Sequence, residues 1–161
     1  MTNWVEWFRY QLKASGDGFI WAFEQLPTER RLKLPPPEPR YMGKWEPLRH
    51  VWHVGEYERC QVVPSMRQWL GGSMPGEDAW LDDDHSWTQS KKRGADDIAA
   101  AFCAVRQEQI ALLKQLESAD WETPRETLWG MKPLKMIVTK TYQHTFEHGD
   151  TLLRMAWWWG E

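Results

Sequence analysis

The chain contains few cysteines: Cys60 and Cys103 are the only two, and they do not form a C-x-x-C or another closely spaced pair. Sparse, unpaired usage of this kind is typical of proteins in a reducing compartment, where thiols stay free. Both residues fall within segments of helical pattern. The sequence therefore predicts buried thiols, no disulfide framework and a cytoplasmic location.

Long apolar runs and blocks of like charge are also absent. No stretch approaches the roughly eighteen apolar residues of a membrane-spanning helix, and residues 1–13 lack the basic start and apolar run of a signal peptide. The 20 basic and 23 acidic residues are spread along the chain and give a formal net charge of -3. These absences predict that neither a membrane nor a nucleic acid is a partner.

Alternation of apolar and polar residues, the pattern of a half-buried strand, is nowhere sustained, whereas four segments show helical spacing. Residues 71–94 are rich in glycine, proline and charge, and we expect a long loop there. The predicted helices cover residues 3–26, residues from about 45 to 64, residues 95–116, and residues 133–155. Pro64 should kink or end the second of these helices. At 161 residues the pattern predicts an all-α four-helix bundle that forms a single domain, residues 1–161.

The last predicted helix carries two of the five histidines in the chain, His144 and His148, four positions apart. Residues i and i+4 lie on one helix face, so both imidazoles can point at a common position, as a divalent metal ion requires. The alternative is a pair that faces solvent or is hydrogen-bonded. A third ligand from another helix would favour the metal site, and the second helix offers His50 and His53. Spacing alone does not choose between these two.

Two further side chains are weak candidates for a catalytic role. Glu147 lies about 60° from His144 on the helical wheel and could act as a general base. Its alternative is a solvated helix residue. Tyr57 lies near His53 and could hydrogen-bond a substrate, with packing between helices as the alternative.

The acidic residues near the histidines also have two interpretations, one functional and one as ordinary surface residues. Glu58 could orient a ligand histidine as an outer carboxylate, or could form an ion pair with Arg59 or another surface cation. The acidic stretch LDDDHSW, residues 81–87, lacks the glycine and the final glutamate of an EF-hand loop. We expect it to be a solvated loop with His85 exposed.

The segment KWEPLRHVWHVGEYE contains the spacing W-x7-H-x4-E, and QHTFEHGD follows a tryptophan-glycine turn much later in the chain. This order of helices and motifs resembles the DinB and YfiT-like family of bacterial metal-binding four-helix bundles, over nearly the whole chain. In that family one histidine of the second helix and two of the last helix bind a divalent ion. The resemblance implies that His53, His144 and His148 are the metal ligands. His50 is additional and would be an outer-shell donor or an exposed residue.

The resemblance also implies a cofactor, a partner and an activity. Three imidazole ligands suit zinc or nickel, with iron or manganese less favoured because no carboxylate ligand is evident. Relatives include metal-dependent hydrolases, and transferases or isomerases that use a low-molecular-weight thiol, so we expect a small-molecule substrate. Thr151 stands where family members often carry glutamine, which weakens the transfer of substrate chemistry more than the transfer of the metal site.

Two more expectations concern assembly and the absence of catalysis. The resemblance and the aromatic helix end at residues 157–159 suggest a homodimer, since aromatic residues are enriched at subunit interfaces. The alternative to an enzyme is a non-catalytic, stress-linked binding or interaction module whose metal is structural.

Overall fold

A computed structural model describes residues 3–37, 41–76 and 82–160 of the chain. The helices are α1 (Trp4–Glu24), α2 (Pro47–Tyr57), α3 (Val63–Arg67), α4 (Asp84–Ser90), α5 (Ala95–Gln115) and α6 (Leu134–Trp158), with a π-helical turn, Glu58–Val62, between α2 and α3. Helices α1, α5 and α6 pack with the α2–α3 segment as a four-helix bundle. The prediction of an all-α bundle is confirmed.

Helix α1 begins where the sequence indicates. The side chain of Asn3 accepts a hydrogen bond from the backbone N–H of Glu6 at 3.2 Å and so satisfies one of the free donors at the helix start. Phe8, Leu12 and Phe19 recur at helical spacing and are buried. The observed helix is slightly shorter than the predicted 3–26, because its regular hydrogen bonding ends before Pro27.

The second helical segment does not end at Pro64, but continues to Arg67. The π-helical turn Glu58–Val62 lies directly before this proline, which has no N–H to donate. A π-helical turn adds one residue to the helix without ending it. The side chain of Glu58, at the start of this turn, is completely buried.

The prediction of a loop over residues 71–94 is wrong in part, since α4 (Asp84–Ser90) lies within it. Asp83 caps this helix by accepting the backbone N–H of Ser86 at 2.6 Å. Trp87 is buried and its ring centroid lies 5.5 Å from that of Trp52 on α2. A helix of seven residues is too short to show a hydrophobic period.

A small β-hairpin is a second element without a sequence signal. Strand β1 (Arg125–Thr127) pairs antiparallel with β2 (Gly130–Lys132), and Thr127 lies opposite Gly130. Gly130 has a φ of 78°, a left-handed conformation that glycine adopts without strain. Strands of three residues are too short for alternation to be recognised.

The interior contains two apolar clusters with a polar layer between them. One cluster includes Phe8, Leu12, Val62, Met66, Leu113 and Ile137, and the other includes Phe19, Phe23, Leu48, Val51, Phe102 and Leu152. Buried polar side chains fall between these groups along the helices: Ser15, Glu58, Arg106, Gln109, Thr141 and Thr145. The bundle therefore holds an ion pair, Glu58 with Arg106, at the middle of its length.

Three smaller expectations have different outcomes. Cys60 is half-buried and Cys103 is exposed, and both are free, so the prediction of buried thiols is wrong for Cys103. None of the described helices has the length and apolar character needed to cross a membrane. At the end of α6, Trp157 is exposed whereas Trp159 packs against the core. The homodimer stays a prediction.

Candidate metal centre

Helices α2 and α6 bring the side chains of His53, His144 and His148 together. One ring nitrogen of each lies within 4.8 Å of the others. His144 is central: its Nε2 lies 3.0 Å from Nε2 of His53 and 3.1 Å from Nε2 of His148. All three side chains are half-buried. The structure thus brings the residues of the two motifs to one point, although metal ligation by them stays a prediction.

The packing of α2 explains why His53 faces α6. Gly55 lies against α5, where an added Cβ would be 3.4 Å from the Cα of Phe102. Residues two positions apart on a helix point about 200° away from each other. His53 therefore lies on the side of α2 opposite to this close contact, toward His144 and His148. The apolar stripe of α2 did not reveal this placement, because His53 lies outside it.

His50 is buried, with 5% of its surface exposed. Its Nδ1 lies 2.7 Å from Nδ1 of His148, on the side of that ring opposite to the nitrogen that faces His144. His50 is therefore an outer partner of His148. The sequence left open whether His50 is an outer-shell donor or an exposed residue, and its burial excludes the exposed position.

Asp82 is a site residue that the sequence did not reveal. Its Oδ2 lies 2.8 Å from Nδ1 of His53. The prediction of a solvated loop is wrong for this residue, which is half-buried, whereas His85 is exposed as expected. Leu81 lies outside the described residues. Nothing in the local pattern distinguishes Asp82 from Asp83 and Asp84, because its role depends on where α4 packs.

The arrangement of nitrogens fits a divalent metal ion. Asp82 and His50 lie beside Nδ1 of His53 and of His148, and this leaves the Nε2 atoms to face His144. Lone pairs on neighbouring Nε2 atoms repel, and a shared cation would remove that repulsion. Two nitrogens bound to one tetrahedral zinc ion at 2.0–2.1 Å lie roughly 3.3 Å apart, close to the 3.0 and 3.1 Å found here.

The three imidazoles are neutral at pH 7, the form that binds metal. Burial, together with repulsion from the neighbouring His148, lowers the pKa of His53 to about 3 and that of His144 to about 2. Burial lowers the pKa of His148 to about 4, while the carboxylates of Glu147 and Asp82 oppose this effect. A metal ion would therefore displace few protons from the folded protein.

These shifts predict acid sensitivity of the metal-free protein. Unfolded histidines bind protons near pH 6.5, whereas the folded cluster stays neutral until lower pH. The unfolded state therefore binds more protons between about pH 6.5 and 4, and stability falls as pH falls through this window. Each of the three histidines contributes at most about 1.4 kcal/mol per pH unit. Urea unfolding between pH 7.5 and 4.5 measures the slope.

A matched pair of variants isolates the cluster in that measurement. His148→Gln should reduce the pH slope, because one group no longer takes up a proton on unfolding. His85→Gln, which removes an exposed histidine outside the cluster, is the matched control and should reduce the pH slope less than His148→Gln does. Equal slopes for both variants would contradict the assignment of the acid sensitivity to the cluster.

The weak catalytic candidates differ in their surroundings. The ring centroid of Tyr57 lies 4.4 Å from that of His144, so this residue is at the site. Burial, with the nearby carboxylates of Glu58 and Glu147, raises the pKa of the Tyr57 hydroxyl, which stays protonated at neutral pH. Glu147 itself is exposed and accepts a hydrogen bond from Gln143 at 2.9 Å.

Glu58 does not orient a ligand and does not pair with Arg59. It pairs with Arg106 in the interior, whereas Arg59 pairs with Glu56. The sequence missed this pair because Arg106 lies on α5, far along the chain. The two partners meet only when α5 packs against the α2–α3 segment.

Trp45 is an aromatic neighbour of the site that precedes α2. Its ring centroid lies 4.9 Å from that of His53, 5.3 Å from that of His50 and 5.9 Å from that of His148. The guanidinium of Arg49 lies over the same indole, 4.6 Å from its centroid. This tryptophan covers one side of the histidine cluster and limits its contact with water.

The chain matches a family of known proteins over most of its length. A family model described as the DinB superfamily matches residues 11–152, a range that contains the three histidines of the cluster as well as His50 and Asp82. No curated protein and no solved structure matches the chain.

Proposed function

Because this chain belongs to the DinB superfamily and three of its histidines converge on one point, we propose that it binds one divalent metal ion through His53, His144 and His148. The observation that carries the proposal is the convergence of three imidazole nitrogens within 4.8 Å. Neutral imidazoles that are already grouped need little rearrangement to bind an ion. Zinc or nickel suits this donor set best, since the ligands are all nitrogen.

We further propose that the metal serves catalysis on a small molecule. A divalent ion with an open position supplies Lewis-acid activation of water or of a thiol, which are the nucleophiles of a hydrolase and of a thiol-dependent transferase. An open position is supported by His50, whose contact is with the outer nitrogen of His148. No other histidine, cysteine or carboxylate of the described residues belongs to the convergent group.

Tyr57 and Glu147 have separate roles in this proposal. The protonated hydroxyl of Tyr57 is a hydrogen-bond donor for a substrate that lies against His144. Glu147 is exposed beside the cluster and can take a proton from an incoming nucleophile. Trp45 excludes water from one side, which strengthens electrostatic interactions at the site.

Metal removal and reloading test this function. We expect purified protein to bind about one zinc or nickel ion per chain, and we expect turnover only in the loaded form. One set of assays offers esters and amides with water as the nucleophile, and the other offers electrophiles with bacillithiol, mycothiol or glutathione. Activity in one set identifies the reaction class.

Three outcomes of the same experiment have distinct meanings. Full activity after complete metal removal would reject metal-dependent catalysis of either class. Stoichiometric binding without turnover in both sets would favour the alternative, a non-catalytic binding module with a structural metal. Absence of stoichiometric binding would reject the metal site itself.

The homodimer is a proposal of its own. The exposed Trp157 at the end of α6, with 62% of its surface exposed, supports it, since tryptophan is enriched at subunit interfaces. Sedimentation at micromolar concentration should give twice the 19.2 kDa mass of one chain. A monomer mass under those conditions would reject the dimer without affecting the metal site.

A further inference from the structure

The carboxylate of Asp82 uses both of its oxygens at the edge of the histidine cluster. Oδ2 lies 2.8 Å from Nδ1 of His53, and Oδ1 lies 3.4 Å from Nη2 of Arg49. The Asp82 side chain is only 19% exposed. A half-buried carboxylate between an imidazole and a guanidinium has a defined orientation, unlike a solvated acidic side chain.

Arg49 is itself held in place by several contacts. Its side chain is 9% exposed, its Nη1 donates to Oδ1 of Asp84 at 2.6 Å, and its guanidinium lies over the indole of Trp45. The guanidinium therefore fixes the position of Asp82 relative to α2, on which both Arg49 and His53 lie.

Helix α4 brings Asp82 to this position. Trp87 is buried against Trp52 of α2, and its Nε1 donates to Oε2 of Glu46 at 3.1 Å. Asp82 lies two residues before the start of α4 at Asp84. The docking of one tryptophan on α2 thus determines which carboxylate meets His53.

We propose that Asp82 is a positioning residue whose carboxylate, 2.8 Å from Nδ1 of His53, keeps the ring proton on that atom and so holds the lone pair of Nε2 toward His144 and His148. A neutral imidazole has two tautomers, and only the nitrogen without a proton can bind a metal ion. A carboxylate beside Nδ1 selects the tautomer with the proton on that atom. This inference rests on the proposed metal site.

Coupling between the ion and α4 follows from the same contact. If docked Asp82 raises the affinity of His53 for the ion, the bound ion must stabilise the docking of Asp82 by the same factor. Zinc should therefore slow amide hydrogen exchange in α4 (Asp84–Ser90).

The tautomer of His53 in the metal-free protein is the first test, and it does not require metal binding. Long-range proton–nitrogen spectra of the imidazoles should show His53 protonated at Nδ1 in the original chain. Asp82→Ala should give a mixture of both tautomers. A His53 that carries its proton on Nε2 in the original chain, or an unchanged tautomer in Asp82→Ala, would overturn the inference.

Zinc affinity, measured by competition with a chromophoric chelator, is the second test. Asp82→Ala should weaken zinc binding about 10–100-fold, the usual effect of losing an outer partner of a ligand. Asp82→Asn should weaken it less, because the amide oxygen still places a partial negative charge beside Nδ1. The matched control is Asp84→Ala, which removes the other carboxylate partner of Arg49 and leaves the Asp82 carboxylate beside His53 in place. Because Asp84 can act on His53 only through Arg49 and Asp82, this variant should weaken zinc binding less than Asp82→Ala does.

The two tests separate the inference from the proposed function. If the original chain fails to bind zinc stoichiometrically, the metal function is rejected, and the tautomer spectra still decide whether Asp82 orients His53. If the original chain binds zinc and a folded Asp82→Ala variant binds it equally well, the positioning role is rejected and the metal site stands. Equal weakening of zinc binding by Asp82→Ala and Asp84→Ala would assign the effect to Arg49. It would also reject the positioning role of Asp82.

Discussion

Replacement of His144 by alanine is expected to abolish stoichiometric metal binding. Its Nε2 is the nitrogen that lies near both of the others, 3.0 Å from His53 and 3.1 Å from His148. Without it, two imidazoles remain, and a stable catalytic site typically needs three protein ligands. Zinc affinity should fall by more than the loss of about 10–100-fold that follows removal of an outer-shell partner. Competition titration with zinc measures it.

Control variants distinguish ligand loss from a general effect. His85→Ala removes an exposed histidine outside the cluster and should leave metal stoichiometry at one per chain. Circular dichroism should show both variants helical, because His144 lies at the edge of the core and is half-buried. Unchanged stoichiometric binding by a folded His144→Ala protein would remove this residue from the proposed ligand set.

The second large effect is expected at the buried ion pair. Arg106 donates from Nε to Oε2 of Glu58 at 3.1 Å and from Nη2 to Oε1, and its Nη1 donates to the carbonyl of Leu12 at 2.8 Å. Glu58 is fully buried and Arg106 is 3% exposed. Gln109 also donates to Glu58, at 2.7 Å, and Thr145 accepts from Arg106, also at 2.7 Å.

Arg106→Met is therefore expected to lower the free energy of unfolding by about 3–5 kcal/mol, because it leaves a buried carboxylate without its charged partner. For a chain of this length the melting temperature should fall by roughly 6–20 °C. Burial already raises the pKa of Glu58, and Arg106 opposes that rise. The carboxyl group of the variant should consequently be protonated in the folded state at higher pH.

An exposed ion pair provides the matched control. Arg67 and Glu108 also join the α2–α3 segment to α5, at 2.6 Å, but their side chains are 55% and 46% exposed. Arg67→Met should cost about 0–1 kcal/mol, as is usual for solvated pairs. Equal losses for the two arginine variants in denaturant unfolding would contradict a special contribution from the buried pair. Glu58→Leu combined with Arg106→Met should cost less than the sum of the single changes.

The buried pair also bears on the candidate site, because Thr145 directly follows His144 on α6. Its hydroxyl lies 2.8 Å from the backbone carbonyl of Thr141 and accepts from Arg106. The π-helical turn that follows α2 is thus joined to helices α5 and α6 next to the histidine cluster. The polar layer therefore connects the segment that follows His53 to the helix that carries His144 and His148.

Much of the bundle could be predicted from local pattern. The capping residue Asn3 and the spacing of Phe8, Leu12 and Phe19 determine where α1 begins and which face it buries. Helix α4 and the hairpin could not be predicted, because segments of three to seven residues carry too little periodicity. Their positions depend on tertiary contacts, such as that of Trp87 with Trp52.

The candidate site divides in the same way. The spacing of His144 and His148 determined by itself that both imidazoles share one face of α6, because the helix repeats about every 3.6 residues. Only the packing of α2 against α6 decided the positions of the two helix 2 histidines, with His53 toward His144 and His50 behind His148. Packing of α4 on α2 likewise selected Asp82 from three consecutive aspartates. Local spacing specifies which face a residue occupies, whereas contacts between distant segments specify what that face meets.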